Sequence, residues 1–139
     1  MKGFFNVPVP ANEPVKSYRP GSGERTELKE KIQELRSQEL DIPMVIGGQE
    51  IRSERTDRVQ VPHDHRHTLG VYHIADEEHV ERAITSALNA RQQWASLSWE
   101  QRASIFLKAA DLLAGPYRAT INAATMLGQS KNAFQAEID

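Results

Sequence analysis

The stretch Ile42-Pro43-Met44-Val45-Ile46-Gly47-Gly48-Gln49-Glu50-Ile51-Arg52 decides the fold, because the apolar pattern changes there from helical to β. Met44-Val45-Ile46 and Gln49-Glu50-Ile51-Arg52 read as short strands, and Gly47-Gly48 suits a two-residue turn whose central positions need positive φ. The segment is a tight hairpin. Upstream, from Ser22, a plausible N-cap, to Leu40, the apolar positions Leu28, Ile32, Leu35 and Leu40 recur at near-helical spacing among Glu, Lys, Gln and Arg. That spacing predicts a surface amphipathic helix, ended by Ile42-Pro43. Residues 1–21, with Pro8, Pro10, Pro14 and Pro20, predict an extended arm without regular structure, lying on another element or loose in solvent.

Downstream, Arg58-Val59-Gln60-Val61 and Leu69-Gly70-Val71-Tyr72-His73-Ile74 predict a second hairpin, with the polar stretch Pro62 to Thr68 as its longer loop. Two-stranded pairs are marginal in water, so both hairpins need a packing partner. From Asp76 the period becomes helical: Asp76 is an N-cap, Glu77 and Glu78 oppose the macrodipole, and Val80, Ile84, Ala87, Leu88 and Ala95 form one face. Ser98-Trp99-Glu100-Gln101 is a capping box opening a helix striped by Ala103, Phe106, Leu107, Ala110 and Leu113, which stops at Gly115-Pro116. A further helix is expected from Pro116 or Tyr117 to about Leu127. Another begins near Ser130, and its pattern Ala133, Phe134, Ile138 carries no residue that marks a terminus. The segment is thus mainly helical with two β-hairpins.

The 139 residues are 39% apolar and 26% charged, the composition of a globular protein with one domain's worth of core. Seventeen basic and nineteen acidic residues intermix to a net charge of −2, which builds no field for nucleic acid or an anionic membrane. No apolar run approaches a membrane span. Asn6 and three prolines interrupt the opening residues 1–18 where a secretory leader needs an apolar core, and Glu13 precedes the first arginine, Arg19, unlike a transit peptide. A cytoplasmic, bacterial protein is the expectation. With no cysteine, the chain has no disulfide, thiolate metal site or thiol nucleophile.

His63-Asp64-His65-Arg66-His67, with His73 and His79 beyond, is the cluster that invites a metal, since imidazoles and a carboxylate suit zinc or nickel. Pro62 and the interposed Asp64 and Arg66 read instead as a solvated turn, and the spacing of a zinc motif is missing. Trp94 and Trp99 flank a helix junction, where aromatic rings more often bury area in a core than form a stacking platform. Glu137 and Asp139 could form an acidic pair for acid or base work, but exposed helix carboxylates are ordinary and no role is assigned to them. Gly47-Gly48 lacks the glycine pattern and following helix of a phosphate loop, and no G-x-S-x-G elbow occurs. From the residues alone this is a mixed α and β segment without a visible active site. A non-catalytic binding or interaction domain and a His-loop metal-binding protein stand as alternatives to part of an enzyme.

Four stretches carry a resemblance: Ile42-Pro43-Met44-Val45-Ile46-Gly47-Gly48; Val61-Pro62-His63-Asp64-His65; Gln101-Arg102 through Phe106-Leu107-Lys108-Ala109-Ala110-Asp111-Leu112-Leu113; and Gly128-Gln129-Ser130-Lys131 with Gln135-Ala136-Glu137-Ile138-Asp139. Together they resemble the pyrroline-5-carboxylate (L-glutamate γ-semialdehyde) branch of the aldehyde dehydrogenase superfamily. The resemblance implies an α/β parent with a Rossmann-type cofactor domain, of which residues 22–139 are an incomplete N-terminal part. It implies NAD-dependent oxidation of glutamate γ-semialdehyde to glutamate in proline breakdown. The catalytic cysteine, the oxyanion-holding asparagine and the glutamate that activates water all lie downstream in the family. No catalytic, cofactor-binding or metal-binding residue is therefore assigned here, and the partners implied are the remainder of the parent chain and further copies in a homo-oligomer.

Overall fold

The computed structural model describes residues 8–139. The first seven residues of the expected arm, and with them part of the leader reading, lie outside the described residues. Residues 8–19 carry no helix or strand, as the prolines dictate.

Helix α1, Gly23–Arg36, stops four residues short of the expected end at Leu40. The Ser37 N–H donates to the Gln33 and Glu34 carbonyls and its hydroxyl closes on the Glu34 carbonyl at 2.7 Å, completing the C-terminus. Leu40 is also off the stripe, because five residues beyond Leu35 is a rotation of about 140° from that face. It opens β1 instead, Leu40–Ile42.

Strands β2, Met44–Ile46, and β3, Gln49–Ile51, form the expected tight hairpin, with Gly47 and Gly48 at φ 61° and 78°. Both values demand glycine in an unstrained type I′ turn. Strands β4, Thr56–Val61, and β5, Asp64–His73, pair antiparallel, and β1 pairs parallel to β5, giving the sheet order β1-β5-β4. The expected loop of Pro62 to Thr68 is replaced by a turn at Pro62-His63 and an irregular strand. Val61 faces Asp64 and Gln60 faces Thr68, so His65-Arg66-His67 bulge out of the ladder. Gln60 steadies that bulge by donating its side-chain amide to the His65 carbonyl at 2.9 Å.

Helix α2, Glu77–Ser96, begins at the Asp76 cap and α3, Trp99–Ala114, at the Ser98–Gln101 capping box, as their sequences require. The Gly115 N–H bonds back to Asp111 to end α3. Helix α4, Arg118–Gln129, starts one or two residues later than expected, and α5, Ala133–Glu137, is a short helix that starts three residues beyond Ser130, capped by Asn132.

The core sits between α1 and α4, where Tyr18, Leu28 and Ala123 are buried with Ile32, Leu35, Met126 and Ala133 around them. Ala119 and Ala123 on successive turns of α4 bring the neighbouring backbone close, and β4 adds the fully buried Val61. Helices α2 and α3 have no buried residue. Their apolar stripes instead face outward, with Ile84, Leu88, Phe106 and Leu113 more than half exposed. Trp94 and Trp99 likewise fail to bury against a core, remaining 41% and 56% exposed. Among the described residues no helix is long and apolar enough to cross a membrane.

Candidate functional site

The histidines of the candidate metal loop do not converge. His63 Nδ1 meets Ser130 Oγ at 2.8 Å, and Asp64 pairs with Arg36 at 3.1 Å, which holds the Asp64 carboxyl below its ordinary range. His65 lies exposed in the bulge, and His67 Nε2 is enclosed without a hydrogen-bond partner. His73 belongs to another cluster, with Nε2 2.9 Å from Asp41 Oδ1 and Nδ1 2.7 Å from the Ser53 carbonyl. His79 closes the N-terminal box of α2 with Asp76. Among the described residues no three His, Cys, Asp or Glu side chains gather as a metal would need.

The strongest assembly of polar groups surrounds Glu137, which composition alone would leave as an ordinary exposed helix carboxylate. Its side chain is instead wholly inaccessible. Arg118, one turn before Asn122 on the inward face of α4, grips it bidentately: Nε donates to Oε2 at 3.2 Å and Nη2 donates to Oε1. Tyr18 Oη donates to Oε2 at 2.7 Å, Asn122 Nδ2 donates to the same oxygen at 2.8 Å, and the Lys16 N–H donates to Oε1 at 2.6 Å. Asn122 also donates to the Tyr18 hydroxyl at 2.9 Å.

Burial alone would raise the Glu137 pKa, but the Arg118 guanidinium and the other donors outweigh it and pull the carboxyl down to about 2. The Tyr18 phenol moves the opposite way, pushed up to about 12 by burial and by its bond to the Glu137 carboxylate. Glu137 is therefore an anion throughout the neutral range. It neither takes nor releases a proton there, which suits a fixed electrostatic clamp and not general acid or base work. Asp139 does not join it and pairs with Lys131.

The sequence contains one local trace of this clamp. Arg118 and Asn122 stand four apart on the same face as Ala119 and Ala123, a polar pair set among small residues. Its partners lie in the arm, 104 residues away for Tyr18 and Asn122, beyond the reach of periodicity.

A dinucleotide site needs a glycine-rich turn leading from a strand into a helix. Here Gly47-Gly48 joins two antiparallel strands, and the parallel pair β1 and β5 is connected through β2, β3 and β4 without a helical crossover. The described residues do not fit a dinucleotide cradle.

A family model, the aldehyde dehydrogenase family, matches residues 50–139. The chain belongs to the aldehyde dehydrogenase family. The delta-1-pyrroline-5-carboxylate dehydrogenase of Agaricus bisporus is 47% identical over 136 residues, which is 97% of this chain and 25% of that protein. The human mitochondrial enzyme of the same name is 42% identical over 129 residues, 93% of this chain and 23% of its own length. Among solved structures, the Mycobacterium tuberculosis delta-pyrroline-5-carboxylate dehydrogenase bound with NAD superposes with TM-score 0.96 at 46% identity, covering 100% of this chain and 26% of that one. The Thermus enzyme bound with NAD shares the fold at 23% identity and TM-score 0.87. This aldehyde dehydrogenase chain spans about a quarter of the length of the relatives it matches.

Proposed function

We propose that this chain is the N-terminal scaffold segment of an NAD-dependent dehydrogenase that oxidises L-glutamate γ-semialdehyde, in equilibrium with 1-pyrroline-5-carboxylate, to L-glutamate. The observation that carries the proposal is high identity across nearly the whole chain to enzymes of which it spans a quarter. Residues 22–139 are then an incomplete N-terminal part of the aldehyde dehydrogenase domain, and none of them serves as a catalytic, cofactor-binding or metal-binding residue. The chain has no cysteine, so a thiolate that attacks the aldehyde must come from elsewhere in the parent.

What the chain contributes is packing. The outward stripes of α2 and α3, from Ile84 and Leu88 to Phe106 and Leu113, form apolar area of the kind that marks an interaction surface. Its occupant in this proposal is the remainder of the parent dehydrogenase chain. A homo-oligomeric parent in the cytoplasm completes the proposal.

The test is NADH formation from glutamate γ-semialdehyde, read by absorbance. The purified chain alone should form none, and the chain mixed with the remaining three quarters of the Agaricus bisporus relative should form NADH at a rate that saturates with added chain. Activity of the chain alone, or a mixture no more active than the larger piece by itself, contradicts the proposal.

A further inference from the structure

We propose that the groove bounded by α4 and α5 is a receptor for an extended stretch of polypeptide, and that residues 14–18 occupy it in cis as a strap latched on the Glu137 carboxylate. The two main-chain attachments fall on alternate residues, Pro14 and Lys16, as they do when an extended chain shows one side to its partner, and Tyr18 follows with its side chain at a left-handed turn. The Pro14 carbonyl accepts from Arg118 Nη2 at 2.8 Å, the Lys16 N–H donates to Glu137 Oε1, and the Tyr18 hydroxyl donates to Glu137 Oε2. Val15 and Ser17, between them, are exposed.

Recognition uses the main chain at 14 and 16 and an aromatic hydroxyl at 18, so Lys16 contributes its amide and not its charge. Affinity from main-chain hydrogen bonds with specificity from a single pocketed side chain is how folded domains take up extended peptides. The pocketed side chain is Tyr18, buried against Leu28 and Ala123.

Two features make the strap separable from the rest of the fold. Among the described residues, no backbone-to-backbone hydrogen bond ties residues 8–18 to any other element. Its polar attachments therefore run through side chains of the receptor, namely Arg118, Asn122, Glu137 and Arg25, which donates to the Tyr18 carbonyl at 3.1 Å. Tyr18 itself sits at φ 50°, a left-handed conformation that a non-glycine residue holds only when its surroundings enforce it. Releasing Glu137 loosens three of the groups that hold the strap at once, because Arg118 on the Pro14 carbonyl and Asn122 on the Tyr18 hydroxyl are oriented by the same carboxylate.

The experiment is limited digestion of the full chain with a lysine-specific protease. Cleavage after Lys16 reports the strap, and cleavage after Lys108, in the middle of the outward-facing α3, reports a helix outside both the strap and the α4–α5 groove. In the unsubstituted chain Lys16 should be protected. Glu137→Gln should speed cleavage at Lys16 by at least about tenfold while leaving Lys108 within about twofold, since local opening exposes only the strap. Tyr18→Phe keeps the ring and removes the hydroxyl's two bonds, the one it donates to Glu137 and the one it accepts from Asn122, while the Lys16 and Pro14 attachments remain; it should speed the Lys16 cut by a smaller factor, about threefold. Should Glu137→Gln unfold the chain, selective acceleration in Tyr18→Phe supports the strap and its absence overturns it. Rapid cleavage at Lys16 in the unsubstituted chain, unchanged rates in both variants, or equal acceleration at Lys16 and Lys108 in both also overturns it. None of these readouts depends on dehydrogenase activity.

Discussion

Arg118→Met keeps most of the buried volume at the head of α4 while deleting the positive charge, and it puts the Glu137 clamp to a quantitative test. The Glu137 side chain is fully enclosed and that of Arg118 is 10% exposed, so little water is at hand to take over the lost bonds. Two routes give the cost. Breaking one side of a buried ion pair is worth about 3–5 kcal/mol. The net drop of the Glu137 carboxyl from 4.5 to about 2, which sums Arg118 and the other three donors against burial, corresponds to about 3 kcal/mol at pH 7, at about 1.4 kcal/mol per pH unit, and is of the same order. Tyr18, Asn122 and the Lys16 N–H remain as donors in the variant, so the expected loss is near the lower end, about 3 kcal/mol.

The pH dependence has a fixed sign. The folded pKa lies below the unfolded one, so this stability is fully present above about 4.5 and is lost as pH falls towards 2. Urea unfolding at pH 7 and pH 2.5 should therefore show a large gap between Arg118→Met and the unsubstituted chain at the higher pH and a much smaller one at the lower. A loss below about 1 kcal/mol at pH 7, or an equal loss at both pH values, would refute the clamp.

Three further outcomes follow from the packing. Phe106→Gln, on a side chain 67% exposed, should change stability by less than about 0.5 kcal/mol, whereas Leu28→Ala in the core should cost about 2–5 kcal/mol in the same urea assay. Gly70→Ala places a methyl group 2.6 Å from the Leu40 carbonyl oxygen, so hydrogen exchange should show the Leu40–Ile42 amides losing protection while the β2–β3 hairpin keeps its own. Calorimetric titration with zinc or nickel should give no saturable heat, and the same trace for His65→Ala, because the loop histidines do not converge: His63 is held by Ser130, His65 lies exposed and His67 Nε2 is enclosed.

The local signals in the sequence were the reliable ones. Asp76 and Ser98 start α2 and α3, and Gly47-Gly48 turns the hairpin, because caps and positive-φ turns are decided by neighbours within four residues. The family was legible for the same reason, in contiguous stretches such as Gln135-Ala136-Glu137-Ile138-Asp139. What escaped was everything joined across long separations. Leu40 matches the helical composition before it, but its partner is Gly70, and a parallel pairing has no local turn to announce it. Glu137 looked like a surface carboxylate because the residues that bury it, Lys16 and Tyr18, are more than a hundred positions away. The periodicity of α2 and α3 correctly located an apolar face but not what covers it. Here the two stripes remain uncovered, and both tryptophans with them.

The claim that those stripes are a seat for the rest of a dehydrogenase is tested most directly by hydrogen exchange along α2 and α3. The measurement compares the chain alone with the chain mixed with the remaining three quarters of the Agaricus bisporus relative. Slowing of the amides around Ile84–Leu88 and Ile105–Leu107, with the α1 and α4 amides little changed, is the predicted result. Exchange along α2 and α3 that is identical with and without the larger piece, under conditions where the two co-purify, would contradict it.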